Sequence, residues 1–197
     1  GRIHTTASSH KRVMVIEIMG NKAGWLTLYT GVAGGADVIL IPEIPYDIKK
    51  VVKAIERRAA SGRGFSIVVV AEGAFDAEEA KMKKKERAEK RAAEGITTAT
   101  ARIVRQIEES SGSETRMVVP GHFIRGGEPS AYDRVLASQF GVYGAELFSR
   151  GIFGVTVAQQ NNEIVHNRLS DVAGKTKFVP VNDQMIFTAR SLGISFG

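Results

Sequence analysis

His122 and Arg125 stand three residues apart in a glycine-rich turn, PGHFIRGGEPS at 120–130, between an apolar run and a long helical pattern. A guanidinium with planar donors, glycine-rich backbone and a helix start together suit a phosphate dianion, which prefers several charge-assisted donors. A lone RGG also occurs in RNA-binding tails, but a single copy between a strand and a helix argues against that use. Glu72 directly follows the apolar run FSIVVVA at 65–71. A carboxylate there can accept hydrogen bonds from ligand hydroxyls; it can equally cap the next helix or pair with a base. Met19-Gly20-Asn21-Lys22 closes the run VMVIEIM at 13–19. The backbone amides of Gly20 and Asn21 would sit at a helix N-terminus and suit an anion or a sugar hydroxyl, the plainer alternative being an ordinary strand-to-helix turn. Lys11 and Arg12 before the first apolar run, and Arg116 before the fourth, are further candidate anion ligands or else solvated surface charges.

These residues need elements to hold them. The β-branched-rich runs at 13–19, 37–41 (DVILI), 65–71 and 117–119 read as buried strands. Runs at 154–158 and 163–166 read as a short hairpin, with Asn161 and Asn162 supplying the positive φ of its turn. Helical patterns fill the gaps at 22–33, 47–60, 76–94, 99–109, 130–149 and 183–192. The pattern at 99–109 buries Ile103, Val104 and Ile107, and the one at 130–149 is amphipathic. The 76–94 segment is very polar, with mostly Ala at its apolar positions, and reads as a solvated helix weakly anchored to a core. Continuous apolar strands alternating with helices predict an α/β fold, a three-layer α-β-α domain with a mainly parallel sheet. The pattern reads as one domain over 1–197, with SSGSE at 110–114 a turn rather than a hinge. Open parallel sheets bind ligands beyond the carboxyl ends of their strands, where Met19-Gly20, Glu72 and the His122–Arg125 turn fall.

Composition narrows the function. The 197 residues are 43% hydrophobic and 24% charged, which excludes a mainly disordered chain, a fibrous repeat and a disulfide mini-protein. With no cysteine there is no thiolate catalysis and no Cys-ligated metal. The formal charge of +6 favours anionic partners. Much of the excess comes from KMKKKERAEKR at 81–91, but that run lacks interleaved aromatics and contains Glu86 and Glu89, so it reads as a solvated face rather than a nucleic-acid site. No run approaches the roughly 18 apolar residues of a membrane helix, and the first residues carry no apolar signal run, so neither membrane nor secretion is expected. The chain has no GxxxxGK[ST] loop, no GxGxxG fingerprint and no HExxH; His4, His10, His122 and His166 are scattered. On residues alone, the chain is an α/β domain that binds a phosphorylated anion.

The combination of segments goes further. SSHKRVMVIEIMGNKAGWLTLYTGVAGGADVILIPE at 8–43, VVVAEG at 68–73, ETRMVVPGHFIRGGEPSAYDRVLAS at 114–138 and ARSLGISFG at 189–197 resemble the phosphofructokinase family in order and spacing. The likeness covers nearly the whole chain but only the C-terminal half of that family's subunit. The GGDGT-type donor segment and the TIDND-type segment with the catalytic aspartate do not occur. The resemblance implies a fold like the second domain of phosphofructokinase. It also implies that Met19, Gly20 and Glu72 contact the sugar of fructose 6-phosphate, and that His122 and Arg125 hold its 6-phosphate. Arg12 and Arg116 match arginines that reach a neighbouring subunit's site and grip the same phosphate, implying a homo-oligomer with a shared site. The intact cytoplasmic enzyme would phosphorylate the sugar in glycolysis, with ATP or pyrophosphate as donor and Mg2+ bound mainly through the donor and the other half. This half alone would be inactive. Asp37 and Arg63 match or lie near allosteric effector positions, with a surface Asp and a loop Arg as the alternative. The family's MGR is Met19-Gly20-Asn21 here; Asn21 supplies no charge for phosphoryl transfer, which leaves a second expectation, a non-catalytic regulatory half that binds a sugar phosphate as effector.

Overall fold

A computed structural model describes residues 2–10 and 12–197. Four strands, β1 (Val13–Ile18), β2 (Val38–Leu40), β3 (Ser66–Ala71) and β4 (Thr115–Val118), form one sheet in the order β2-β3-β1-β4. Every pairing in it is parallel. Strand alternation sends successive side chains to opposite faces, and both faces are apolar. Met14 and Ile18 of β1 join Ile39, Ile67 and Val69 under the helices α1 (Arg2–His10), α2 (Trp25–Ala33) and α8 (Gln184–Ser191), which contribute Ala7, Leu28 and Ile186. Val13 and Val15 join Val38, Leu40, Val68 and Val70 on the other face. There α3 (Ile48–Ala60) and α5 (Ala99–Ser111) contribute Val51, Ile55, Ile103 and Ile107. The expected three-layer α/β arrangement with a parallel sheet is therefore present.

Several boundaries differ from the periodicity, each for a local reason. The helix expected from residue 22 starts at Trp25, because Asn21 takes a left-handed φ of 55° and the Gly24 amide donates to the Glu43 carboxylate. The single helix expected over 76–94 is broken. Asp76 Oδ1 accepts the amides of Glu78 and Glu79, a 3-10 turn spans Glu79–Lys81, and an extended Lys83 precedes α4 (Lys84–Ala93). The break turns Glu79 inward, where it is fully buried. Arg91 donates to both of its carboxylate oxygens at 2.7 and 2.6 Å. Arg102 of α5 pairs with Asp76 at 2.7 Å and lies 3.7 Å from Glu79. The polar helix is thus anchored by a buried ionic cluster rather than weakly attached. α1 was not expected from the sequence, since RIHTTASSH lacks an apolar stripe and only Ala7 is fully buried in it.

Where the sequence pattern reads as one domain, the structure groups residues 1–123 and 177–197 into one compact unit and 124–176 into a second. The second contains α6 (Ala131–Ser149), the antiparallel hairpin β5 (Val155–Gln160) and β6 (Glu163–Arg168), and the short α7 (Leu169–Val172). Asn161 and Asn162 form the hairpin turn at φ 50° and 66°, as expected. Ser130 and Asp133 cap α6 reciprocally. The amphipathic expectation for α6 is not met: Leu147 alone of its residues is buried, while Val142 and Phe148 are 71% and 72% exposed. A two-stranded hairpin and one helix make little core of their own.

Removing one partner from a buried ionic cluster leaves an uncompensated charge. Arg102→Met should therefore lower the unfolding free energy by about 3 kcal/mol or more, read from urea denaturation at neutral pH. Burial works to raise the Asp76 carboxyl, but the Glu79 amide and the Arg102 guanidinium outweigh it and hold Asp76 below its ordinary 3.8. A depressed carboxyl contributes stability above its unfolded value and loses it as pH falls through the folded one. Asp76→Asn should therefore flatten the acid limb of the stability profile below about pH 4, measured by denaturant midpoints across pH.

Candidate sugar-phosphate site

The parallel sheet sorts the candidate residues to two opposite edges. Met19 and Gly20 follow β1, Glu72 follows β3, and His122 lies four residues beyond β4, all toward the carboxyl ends. Arg12 precedes β1, Arg116 stands at the start of β4, and Asp37 and Arg63 precede β2 and β3, at the amino ends. The six residues of β1 separate the edges by about 20 Å.

At the carboxyl edge, Glu72 Oε1 accepts the Gly20 amide at 3.0 Å and the Asn21 amide at 2.6 Å. The Glu72 amide in turn donates to the Ile18 carbonyl at 3.0 Å. Gly73 packs so closely that any Cβ there would collide with the Asn21 carbonyl oxygen. The two turns therefore lock together, and only glycine fits at 73. This corrects the expectation that the Gly20 and Asn21 amides face a ligand from a helix N-terminus. The helix starts three residues later, and the amides are taken by Glu72. Glu72 neither caps a helix nor pairs with a base; among the described residues its Oε2 receives no hydrogen bond. Met19 is half-buried beside it.

A cavity of about 1310 Å³ opens here. Its walls include Glu72, Asn21 and Lys22 on the sheet side and Arg87 and Arg91 of α4 opposite. Glu43 holds the Gly24 amide at 2.9 Å and the Val179 amide at 2.9 Å, tying α2 to the returning chain. Glu17 accepts the Thr100 hydroxyl at 2.6 Å. The basic run at 81–91 is largely committed: Lys85 pairs with Glu89, Lys90 with Glu78 and Arg91 with Glu79, while Arg87 stacks over the Phe75 ring at 4.2 Å.

His122 and Arg125 lie on one 3-10 turn, Gly121–Arg125, and both are exposed. His122 belongs to the first compact unit and Arg125 to the second. His4 donates to the Gly34 carbonyl, and His166 shares a hydrogen bond with Tyr143 at 2.9 Å, so both serve structure.

At the amino edge, Arg12 and Arg116 both pair with Glu114, Arg12 at 2.8 Å. One carboxylate thus holds the two arginines on a common surface. Lys11 lies outside the described residues. Asp37 is engaged inside the fold: one oxygen pairs with Arg58 and the other accepts the Ile67 amide at 2.8 Å. Burial raises the Asp37 carboxyl, against the Ile67 amide and the Arg58 charge. Arg63 stands exposed in the loop before β3.

Two features of this edge-to-edge arrangement escaped the sequence. Glu79 sits in a highly charged stretch with no local sign of burial. Arg87 shows its setting only once Phe75 is folded against it.

Comparison with known proteins identifies the family. The phosphofructokinase family model matches residues 1–148. The chain is 50% identical over 196 residues to an ATP-dependent 6-phosphofructokinase of Spirochaeta thermophila, covering 100% of this chain and 54% of that protein. It is 45% identical over 196 residues to ATP-dependent 6-phosphofructokinase 3 of Bacteroides thetaiotaomicron, covering 100% and 53%. Among solved structures, phosphofructokinase from Saccharomyces cerevisiae superposes with a TM-score of 0.69 at 30% identity, over 86% of this chain and 21% of that one. A pyrophosphate-dependent phosphofructokinase from Nitrosospira multiformis shares the fold with a TM-score of 0.73 at 21% identity, over 98% and 52%. The chain spans about half the length of the curated relatives it matches. With its parallel sheet, its locked carboxyl-edge turns and these matches, the chain belongs to the phosphofructokinase family.

Proposed function

We propose that this chain is the fructose 6-phosphate-binding part of a 6-phosphofructokinase. The observation that carries the reading is the locked pair of turns at the carboxyl edge. Glu72 fixes the Gly20-Asn21 backbone with one oxygen, and its second oxygen remains available to a sugar hydroxyl beside the cavity. The relatives named ATP-dependent 6-phosphofructokinase support the same activity. In the reaction the sugar O1 bonds to the donor's terminal phosphorus as the bond to the donor's bridging oxygen breaks. The O1 proton passes to a base outside this chain. ATP-dependent and pyrophosphate-dependent relatives both occur, and either donor fits this reading.

Within this chain the work is binding and orientation. Met19, Gly20 and Glu72 place the sugar, and His122 and Arg125 offer donors to its 6-phosphate. Arg12 and Arg116 sit a strand length from Glu72 and are held by Glu114. That separation supports their serving the phosphate of a neighbouring subunit, in a homo-oligomer with shared sites. Among the described residues no three His, Asp or Glu side chains could hold a metal. Magnesium in the reaction is assigned to the donor and the rest of the enzyme. The exposed apolar residues of the second unit, Val135, Val142 and Phe153 among them, support further enzyme structure covering them, so that this chain alone is inactive. No helix among the described residues is long and apolar enough to cross a membrane; the glycolytic role of the proposed enzyme assigns it to the cytoplasm.

Asn21 favours a second reading, a non-catalytic half that binds a sugar phosphate as effector. Turnover by the intact protein separates the two.

Calorimetric titration of the intact protein with fructose 6-phosphate tests the site. Wild type should bind saturably. Arg125→Ala should weaken binding at least about tenfold, as expected for loss of a charge-assisted contact. Equal affinity in wild type and Arg125→Ala would remove the phosphate role of the 120–130 turn.

A further inference from the structure

The cavity at the carboxyl edge contains charges of both signs, but they are not equally available. Its carboxylates are fixed in place: Glu72 by the Gly20 and Asn21 amides on one oxygen, Glu43 by the Gly24 and Val179 amides, and Glu17 by the Thr100 hydroxyl. Arg91 is engaged as well, with Nε and Nη2 on Glu79 and Nη2 also on the Ala74 carbonyl. Lys22 and Arg87 differ. Both line the cavity, and neither pairs with a carboxylate among the described residues. Arg87 is half-buried, with its guanidinium 4.2 Å from the centroid of the Phe75 ring. Stacking uses the face of a guanidinium and leaves its in-plane N–H donors unused. Phe75 therefore holds a fixed cation on the cavity wall without neutralising it. Among the described residues Lys22 and Arg87 are the cavity's cations without a carboxylate partner, and so the ones free to meet an anionic group.

The position of this charge is informative. The same cavity is lined by Asn21 and Glu72, and all its lining residues belong to the first compact unit; His122 is not among them. The cations here are thus distinct from the pair assigned to the 6-phosphate. Asn21 is neutral, whereas phosphoryl transfer gathers charge at the reacting end of the sugar and depends on preorganised cations there.

We infer that Lys22 and Arg87 form an anion subsite for the phosphoryl group at the reacting end of the sugar, the 1-phosphate of the bisphosphate product. The inference rests on the sugar-phosphate reading above. It gives the polar α4 a purpose: the buried Glu79–Arg91 pair fixes the helix, and the helix brings Arg87 to the cavity that Lys22 also lines.

The test compares two ligands that differ only at that end. Affinities for fructose 6-phosphate and fructose 1,6-bisphosphate are measured by calorimetry on the intact protein, for wild type, Lys22→Gln, Arg87→Gln and Arg87→Lys. Each Gln variant should weaken the bisphosphate at least about tenfold and leave fructose 6-phosphate within about twofold; Arg87→Lys should recover part of the loss. Retained fructose 6-phosphate binding also shows that the variants are folded. Wild type that binds both sugars, with Gln variants that match it or that lose both ligands equally, overturns the subsite alone. Wild type that binds neither sugar overturns the sugar-phosphate reading, and the subsite with it.

Discussion

Parallel pairing of β1 with both β3 and β4 is the constraint on which the rest of this structure depends. Val13 lies opposite Ser66 on one side and Thr115 on the other, so all three strands enter at one edge and leave at the other. Apolar side chains on both faces fix that register, since a one-residue slip would exchange the two cores. Once it is fixed, the charged residues have no choice of edge. Arg12, Glu114 and Arg116 gather at the amino end, and Met19, Gly20 and Glu72 at the carboxyl end. A single copy cannot bring both sets to one small ligand.

Within the carboxyl edge, one carboxylate organises the turns. Glu72 replaces the ligand that the Gly20 and Asn21 amides might have bound, and in doing so it holds the loop still. Preorganisation of this kind removes an ordering cost from binding. The side chain that fixes the loop also keeps one oxygen without a hydrogen bond among the described residues, so substitution there changes both shape and chemistry. The buried ionic cluster beneath α4 acts similarly at a distance. Glu79, Asp76, Arg91 and Arg102 anchor α4 to the fold and so decide where Arg87 stands.

The strands and most helices were legible because their apolar spacing is strong: FSIVVVA and VMVIEIM leave little choice but buried strands, and Ile103 and Ile107 mark the inner face of α5. The hairpin was legible from Asn161-Asn162, whose side chains tolerate positive φ. Residues 76–94 misled because helix propensity and charge say nothing about a glutamate turned inward by partners 12 and 23 positions away, Arg91 and Arg102. α1 was missed because Ile3 and Ala7, the apolar residues it packs against the core, are too few to mark a helical stripe. At the carboxyl edge, residue types marked the turns at 19–22 and 72–73, but the direction of the amides could not be read. That direction depends on Glu72 crossing 52 residues of sequence to reach Gly20. The apolar residues of α6 lack the expected burial: Val142 and Phe148 are exposed, and Leu147 is the buried residue of the helix.

The central claim is that the two edges of one chain serve two different copies of the same site. Subunit mixing of the intact enzyme tests it most directly. Glu72→Ala and Arg116→Ala proteins are each prepared, confirmed to be nearly inactive, then dissociated and reassembled together. If the site is shared, hybrids contain some sites with both residues intact, and activity returns to a substantial fraction of wild type. If both residues act within one subunit, every site in the mixture lacks one of them, activity does not return, and the account is contradicted.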